Sequence, residues 1–592
     1  MRPSSPPPAK TAPPLSWQFM RLTSSYWNSE RKWTIRGAAL LLILLTEAQV
    51  GLAIWISYWN RELFDALEAR SLHDLLVLGA TFMLIFVLTM LVTAVHLHVK
   101  RWLQLDWRRW LTTRLLDYWM AHARHYQLQF TSGEHDNPDG RIAEDIRIAT
   151  EAAIGLVLSL LYSLLILGSF IDILLSVSGS LPIPGTNLEV PGYLVLLAFL
   201  YAGGGTVLGL LLGRPLIKAT NRLQTVEANL RFGLARAREN SESIALMHGE
   251  GIEHRQADQL FADVSRGWNR QTFGYLGIVS FSTGYGTLLP VFPILIAAPQ
   301  FIAGAMSLGI LMQAAQAFQK LTSALSWPID NLGELAKCRA SADRVISLYN
   351  DMLLLEERAS NPVEHRIDLH TNKGDELALR GLSLANPDGQ VLLENLDLTI
   401  QRGERVLISG DPTLTIALFK AVAGLWPWGH GEILLPAGQS IVFLPQRPFL
   451  PDGTLQAALS YPHPSGHFSD AKIQHALSCA GVAWLAPRLE ESDDWDRVLP
   501  LRAQQRLGIA RLLLHHPAWV FIEEATDAFD VQGEESMTEV LHRELQGSTL
   551  LTISFHSTLA HFYTRKLVLD RICEDKYLTC SPEPAPCALR EP

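Results

Sequence analysis

Charge is scarce in this chain. Asp, Glu, Lys and Arg make up 18% of its 592 residues, against about 25% in ordinary soluble domains. The formal net charge is −10, so the basic footprint that a nucleic-acid partner requires is missing and that class of function is excluded. Cysteine is scarce too. The 5 cysteines, Cys338, Cys479, Cys573, Cys580 and Cys587, avoid the apolar segments and form no CxxC pair, so they read as reduced cytosolic thiols rather than a disulfide framework. The last three are too widely spaced for a zinc motif. There is also no apolar run within the first 30 or so residues, where a secretory signal would have one. The Pro/Ser-rich stretch Met1 to Pro14 reads as disordered.

What the chain does have is apolar length. Hydrophobic residues reach 48%, and 592 residues exceed the roughly 250 to 300 at which a single core stops growing, so at least two domains are expected. Crossing a bilayer takes about 20 residues of helix. Six runs qualify: Gly37 to Trp59, Leu75 to Val99, Ala152 to Val177, Tyr193 to Gly213, Leu276 to Ala303 and Leu308 to Trp327. Gly, Pro and polar residues interrupt the last two, as helices facing a bundle or a watery cavity tolerate. Lys and Arg crowd the stretches between runs two and three (Lys100, Arg101, Arg108, Arg109, Arg114, Arg124) and between runs four and five (Arg214, Lys218, Arg222, Arg231, Arg236, Arg238). Both stretches are therefore expected on the cytoplasmic side, with both termini. Their helical periodicity predicts rods that continue beyond the membrane. Glu47 and Asp172 fall inside runs one and three, where ionisable groups are rare and point to proton coupling.

The texture changes after the sixth run. The expected organisation is a disordered stretch 1–14, a six-helix membrane domain 15–350, a linker 351–378, a soluble α/β domain 379–570 and a polar tail 571–592. Val391 to Leu393 and Arg405 to Gly410 read as strands, and Ile416 to Gly424 as a helix. Strand, glycine turn and helix is the setting of a phosphate loop.

The segments Ala423 to Gly431, Phe443 to Pro448 with Gly453 and Thr454, Gln504 to Arg506 and on through Ala510 to Leu514, and Glu523 to Thr526 follow in that order. With His135 to Asp145 and Glu242 to Leu246 followed by Gly249 and Glu250 in the first half, they resemble an ABC half-transporter. The resemblance is to the group of the SbmA/BacA-related bacterial transporters with a fused ATPase and the peroxisomal fatty-acyl transporters. It implies an all-α six-helix transmembrane domain followed by an α/β P-loop-type ABC nucleotide-binding domain, embedded in membrane lipid. It further implies a dimer that sandwiches ATP and Mg²⁺ between two cytoplasmic ATP-binding domains, in a bacterial inner membrane.

Against that pattern the phosphate-loop position reads Gly410-Asp-Pro-Thr-Leu-Thr-Ile-Ala-Leu-Phe419. It lacks the inner glycines and the Gly-Lys-Ser/Thr step that supply backbone donors, a neutralising Lys and a Mg²⁺-binding hydroxyl. Thr415 is the one hydroxyl in reach of that last role. The signature position reads Leu499-Pro-Leu-Arg-Ala-Gln-Gln-Arg506, where Arg502 offers a compensating charge toward phosphate. By the resemblance, Glu523 takes the Mg²⁺-water position, Glu524 the general base, Gln446 the residue linking nucleotide and Mg²⁺ to the membrane domain, Asp530 the partner-facing aspartate and His556 the switch histidine.

Three readings follow. One is an ATP-coupled homodimeric transporter for peptides, fatty-acyl species or bulky hydrophilic solutes, with impaired hydrolysis. Another is an ion-gradient-driven transporter that keeps a vestigial ATP-binding domain. The third is a partner subunit that pairs with an intact half-transporter in a heterodimer.

Overall fold

A computed structural model describes residues 23–130, 137–178, 180–182, 189–360, 367–372, 374–387 and 389–569. The expected disordered stretch 1–14, the tail 571–592 with Cys573, Cys580 and Cys587, and His135 and Asp136 of the first-half motif lie outside the described residues. The chain divides into two compact units: residues to 119 with 135–351, and residues 120–134 with 352 onward.

The first unit is helical. Its long elements are α1 (Lys32–Glu68), α2 (Leu72–Met120), α3 (Ile146–Ser178), α4 (Tyr193–Glu239) and α5 (Glu250–Ile302). Each carries an apolar window long enough to cross a membrane. At about 1.5 Å per residue, the 49, 47 and 53 residues of α2, α4 and α5 far exceed a hydrocarbon core of about 30 Å. The expected extension into rods is therefore seen. Apolar side chains face outward along α2, with Leu76, Met83, Val87 and Met90 all more than half exposed, an arrangement that water would penalise and lipid does not.

Five helices among the described residues meet the length and apolarity of a span, where six were expected. The sixth run forms α6 (Leu308–Leu325), an 18-residue helix. Gln313, Gln316, Gln319 and Lys320 interrupt its apolar character, and, as such interruptions imply, it packs against α1, α3, α4 and α5. Phe318 and Leu321 are wholly buried within a core shared with Val50, Phe170 and Leu194. The start of α6 is held by the end of α1. The Leu308 and Gly309 N–H groups donate to the carboxylates of Glu68 and Asp65, each at 3.0 Å, which places negative charge on the positive end of the helix dipole. Gly309 is required there, because a Cβ would come within 2.2 Å of the Arg61 carbonyl oxygen. After α6, α7 (Leu332–Ser360) leads out of the unit.

The second unit is α/β. Its two larger sheets are built from β1 (Ile367–Asn372), β2 (Glu376–Ala385), β3 (Val391–Gln401), β4 (Arg405–Gly410), β5 (Gly429–Pro436), β6 (Ile441–Leu444), β7 (Trp519–Glu523), β8 (Thr549–Ile553) and β9 (Arg565–Leu569). A four-stranded, mostly antiparallel sheet has the order β1-β5-β2-β3. A five-stranded parallel sheet has the order β9-β4-β8-β7-β6. Every residue of β8 is buried, as are the first four of β7, because helices or the second sheet cover both faces of a parallel sheet. Helix α8 (Pro412–Val422) follows β4 and packs in the core between the sheets. A helical insertion between β6 and β7, containing α9 (Asp470–Cys479) and α10 (Leu501–His515), shares a second core with α11 (Val531–Glu544) and the other face of the parallel sheet.

Strand β4 has the bounds the sequence implies. Helix α8 starts four residues earlier than expected, at Pro412 instead of Ile416, because Asp411 is a good N-cap and proline suits the first helical position, where a missing N–H costs nothing.

A half-buried pair lies at the start of β4. Arg405 Nη1 sits 2.7 Å from His542 Nδ1, and burial followed by the Arg405 charge pushes the imidazole down to about 4. The depressed value fixes the sign. Neutral His542 contributes stability that is fully present above its unfolded value of 6.5 and is lost as pH falls toward 4. Discounted for partial exposure, the loss is about 2 kcal/mol. Denaturation of purified protein at pH 7.5 and 4.5 is expected to show this acid sensitivity in the wild type and a reduced one in His542→Gln.

Candidate functional site

All five strands of the parallel sheet run the same way, so their carboxyl ends share one edge, where ligands of open α/β sheets sit. Gly410 ends β4, Glu523 ends β7 and is followed by Glu524, Gln446 lies two residues past β6, and His556 three past β8. The sheet thus brings together the residues that sequence reasoning assigned to phosphate, metal, water and switch roles.

The strand-to-helix step after β4 is short. Asp411 alone separates β4 from α8. Its carboxylate Oδ1 accepts from the Thr413 N–H at 2.7 Å, and its carbonyl accepts from Leu414 and Thr415, each at 3.1 Å. Pro412 has no N–H to give. The Asp411 N–H itself donates to the Leu569 carbonyl at 2.7 Å. Every backbone donor of the first turn is therefore committed to the chain's own acceptors, and a carboxylate already sits on the helix's positive end. Thr415 is fully buried, and its hydroxyl donates back to the Pro412 carbonyl at 3.1 Å. Lys420, two turns further along, lies 5.9 Å from the ring centres of Tyr126 and Trp426.

Carboxylates crowd the opposite side. Burial pushes the Glu523 carboxyl up, with Lys420 opposing and Glu524 adding to the rise. Burial likewise raises Glu524, reinforced by Asp527 and opposed by His556. Glu524 adopts a left-handed backbone (φ 44°), a strained conformation for a non-glycine residue and a recurrent mark of functional sites. Gln446 donates to Asp527 Oδ2 at 2.6 Å, and Gln505 donates to Asp527 Oδ1 at 2.5 Å. His556 Nδ1 lies 2.6 Å from Glu534 Oε2, and the other Glu534 oxygen accepts from Thr526 at 3.0 Å. Arg502 pairs with Asp530 at 2.9 Å, both about half exposed or more, and its guanidinium lies 5.6 Å from the Phe529 ring centre.

Sequence reasoning missed Gln505, Asp527 and Glu534. Gln505 was visible only as part of a motif. Glu534 is 2% exposed, yet its sequence setting in the polar run Gln532 to Glu535 looks like a solvated helix face. Glu47 and Asp172 both lie on exposed faces of α1 and α3, outside the packed interior of the first unit.

The second unit also holds an aromatic contact with a segment from the first half of the chain. Phe130 packs edge-on to Trp428 at 5.0 Å and Trp426 at 6.3 Å, and Arg124, almost fully buried, pairs with Glu356 at 3.3 Å.

An array of outward-apolar helices joined to a parallel-sheet domain, with glutamate, glutamine and histidine gathered at its strand ends, defines an integral membrane transporter domain fused to an ATP-binding domain. Residues 22–295 match the ABC transporter transmembrane region 2 family. An uncharacterized ABC transporter ATP-binding protein of Haemophilus influenzae is 30% identical over 553 residues, spanning 93% of this chain and 92% of the relative. The inner membrane ABC transporter ATP-binding protein YddA of Escherichia coli is 28% identical, over 91% of this chain and 94% of its own. A human protein named lysosomal cobalamin transporter ABCD4 is 25% identical, over 93% and 94%. The chain belongs to the ABC transporter family.

Proposed function

We propose that this protein is a transporter whose ATP-binding domain has lost its grip on nucleotide while keeping the residues that couple to it. The observation that carries this reading is the first turn of α8, where Asp411 consumes the donors that would cradle phosphate. With Thr415 turned back on Pro412, that turn offers Mg²⁺ no hydroxyl, and with Arg502 paired to Asp530 its charge at the signature position is already engaged. In a homodimer both composite sites carry both defects. Gln446, Glu524, Asp530 and His556 are the coupling elements retained. The cargo class is peptides, fatty-acyl species or bulky hydrophilic solutes, as the sequence resemblance to SbmA/BacA-related and peroxisomal fatty-acyl transporters implies; the cobalamin in the human relative's name is in keeping with a bulky hydrophilic solute. The location is a bacterial inner membrane with cytoplasmic termini, supported by the basic flanks of the helices and by YddA. Binding of a non-hydrolysable ATP analogue to purified protein is the deciding measurement.

A weakened ATP site favours a second source of energy. Glu47 and Asp172 lie in apolar helices on exposed faces, where ionisable residues are rare and usually functional. In proteoliposomes bearing a pH gradient, Glu47→Gln and Asp172→Asn are each expected to reduce uptake at least severalfold. Unchanged uptake in both removes the ion-gradient reading. Co-purification of a second, intact ABC chain favours the heterodimeric partner role instead.

A further inference from the structure

The insertion between β6 and β7 carries a cluster of soft and borderline ligands remote from the strand ends. His475 and Cys479 stand four residues apart on α9 and so share a face. Cys479 Sγ lies 3.8 Å from each ring nitrogen of His475. Glu544, the last residue of α11, brings its carboxylate to the same place, and one ligand atom from each of the three lies within 4.8 Å of the others. His475 and Glu544 line a cavity of about 340 Å³ together with His516, which directly follows α10 in a left-handed conformation (φ 40°, ψ 57°). Cys479 is a free thiol.

The spacing suits a tetrahedral ion. Zn–S of about 2.3 Å and Zn–N of about 2.05 Å at a tetrahedral angle set S···N near 3.6 Å, against 3.8 Å here. Because both ring nitrogens are equally near the sulfur, a turn of the ring about its side-chain bonds presents either one. The donor set is thiolate, imidazole and carboxylate, which selects a borderline metal such as zinc over Mg²⁺ or Ca²⁺, whose ligands are oxygens alone. Opposing it are Lys472, which borders the same cavity, and Arg543, which reaches Glu544 Oε1 at 3.0 Å and hydrogen-bonds the Cys479 sulfur, so its guanidinium must swing aside when the ion binds.

We propose that Cys479, His475 and Glu544 form a zinc-binding site, with His516 or water as the fourth ligand. Binding converts the Cys479 thiol to a thiolate and releases its proton to solvent. The ion ties α9, in the insertion, to the end of α11, whose Met537 and Leu541 pack in one core with Val520 and Leu550 of the parallel sheet. It therefore staples the insertion to the sheet.

The test uses the full-length protein in detergent with cobalt(II) as a spectroscopic stand-in and zinc as competitor. The expected result is one cobalt per chain with a sulfur-to-cobalt charge-transfer band that zinc abolishes. The band disappears in Cys479→Ser, and affinity falls about tenfold or more in His475→Ala and Glu544→Gln. It persists in Cys338→Ser and in a variant carrying Cys573→Ser, Cys580→Ser and Cys587→Ser. Zinc also raises the unfolding midpoint of the wild type but not of His475→Asn, a readout available even where Cys479→Ser folds poorly. No stoichiometric binding by the wild type, a band that survives Cys479→Ser, or one that requires the tail cysteines overturns the proposal.

Discussion

Purified protein is expected to show no rise in unfolding midpoint with an ATP analogue at about 1 mM and Mg²⁺, where a site of about 10 μM affinity would add about 2.7 kcal/mol of stability. The reason lies in donors rather than in a missing lysine alone. A phosphate bound at a helix N-terminus draws on unpaired N–H groups and the dipole; at α8 those groups already hold Asp411, and its carboxylate occupies the favourable end of the dipole. An incoming phosphate would have to expel a covalently tethered anion and then sit beside it. Replacing residues 410–416 with a glycine-rich loop ending in Gly-Lys-Ser is expected to restore analogue binding by two orders of magnitude or more, since preorganised donors and charge dominate such sites. Restored hydrolysis is not expected, because the signature position still departs from the family pattern, with Arg502 held by Asp530. ATP turnover by the wild type that depends on Glu524 and proceeds at about 1 to 10 s⁻¹ would sink this reading.

Gly410→Ala is expected to destabilise the second unit by about 4 kcal/mol, measured by denaturation of the purified protein. Gly410 has φ 124°, a conformation open to glycine and strained for any other residue, and a Cβ there would lie 1.9 Å from the Leu569 carbonyl oxygen. The nearest atoms are all backbone of β9, so relief requires moving an edge strand that pairs with β4 through Leu569 and Gly410. Strain of about 1 to 3 kcal/mol combines with a displacement cost of similar size. The glycine that sequence reasoning assigned to phosphate is thus needed for sheet closure whether or not nucleotide ever binds. A loss under about 1 kcal/mol would show that β9 gives way freely at that point.

The architecture was legible because its signals are physical and local. Apolar runs of bilayer length gave the long helices, and the apolar strand Arg405 to Gly410 ended at its glycine as read. The site was legible through topology: Gln446, the Glu523-Glu524 pair and His556 come at the ends of three different strands, and a parallel sheet must bring those ends to one edge. Expectation departed from structure where one residue type serves two purposes. The stretch Gly410 to Phe419 reads only as a phosphate loop without its glycines and lysine, and the structure uses Asp411 and Pro412 there as a cap and a first helical residue, so α8 begins early. The run that forms α6 counts in the sequence as a sixth span, and its polar residues read as those of a bundle-facing helix; the packing agrees with the second reading, while the same polar residues keep the helix from meeting the apolarity of a span. Glu534 stayed hidden because burial of a carboxylate depends on a histidine 22 residues away, a partnership with no sequence period.

Gly309 has a mechanical consequence. With no side chain between them, the start of α6 lies directly against the last turns of α1, and two carboxylates hold its exposed amides. A contact of backbone on backbone has no rotamers to absorb sliding, so α1 and α6 behave as one beam under load. Whatever rearrangement admits a solute must therefore bend elsewhere in the helical unit, and a crosslink between the end of α1 and the start of α6 is expected to leave transport intact.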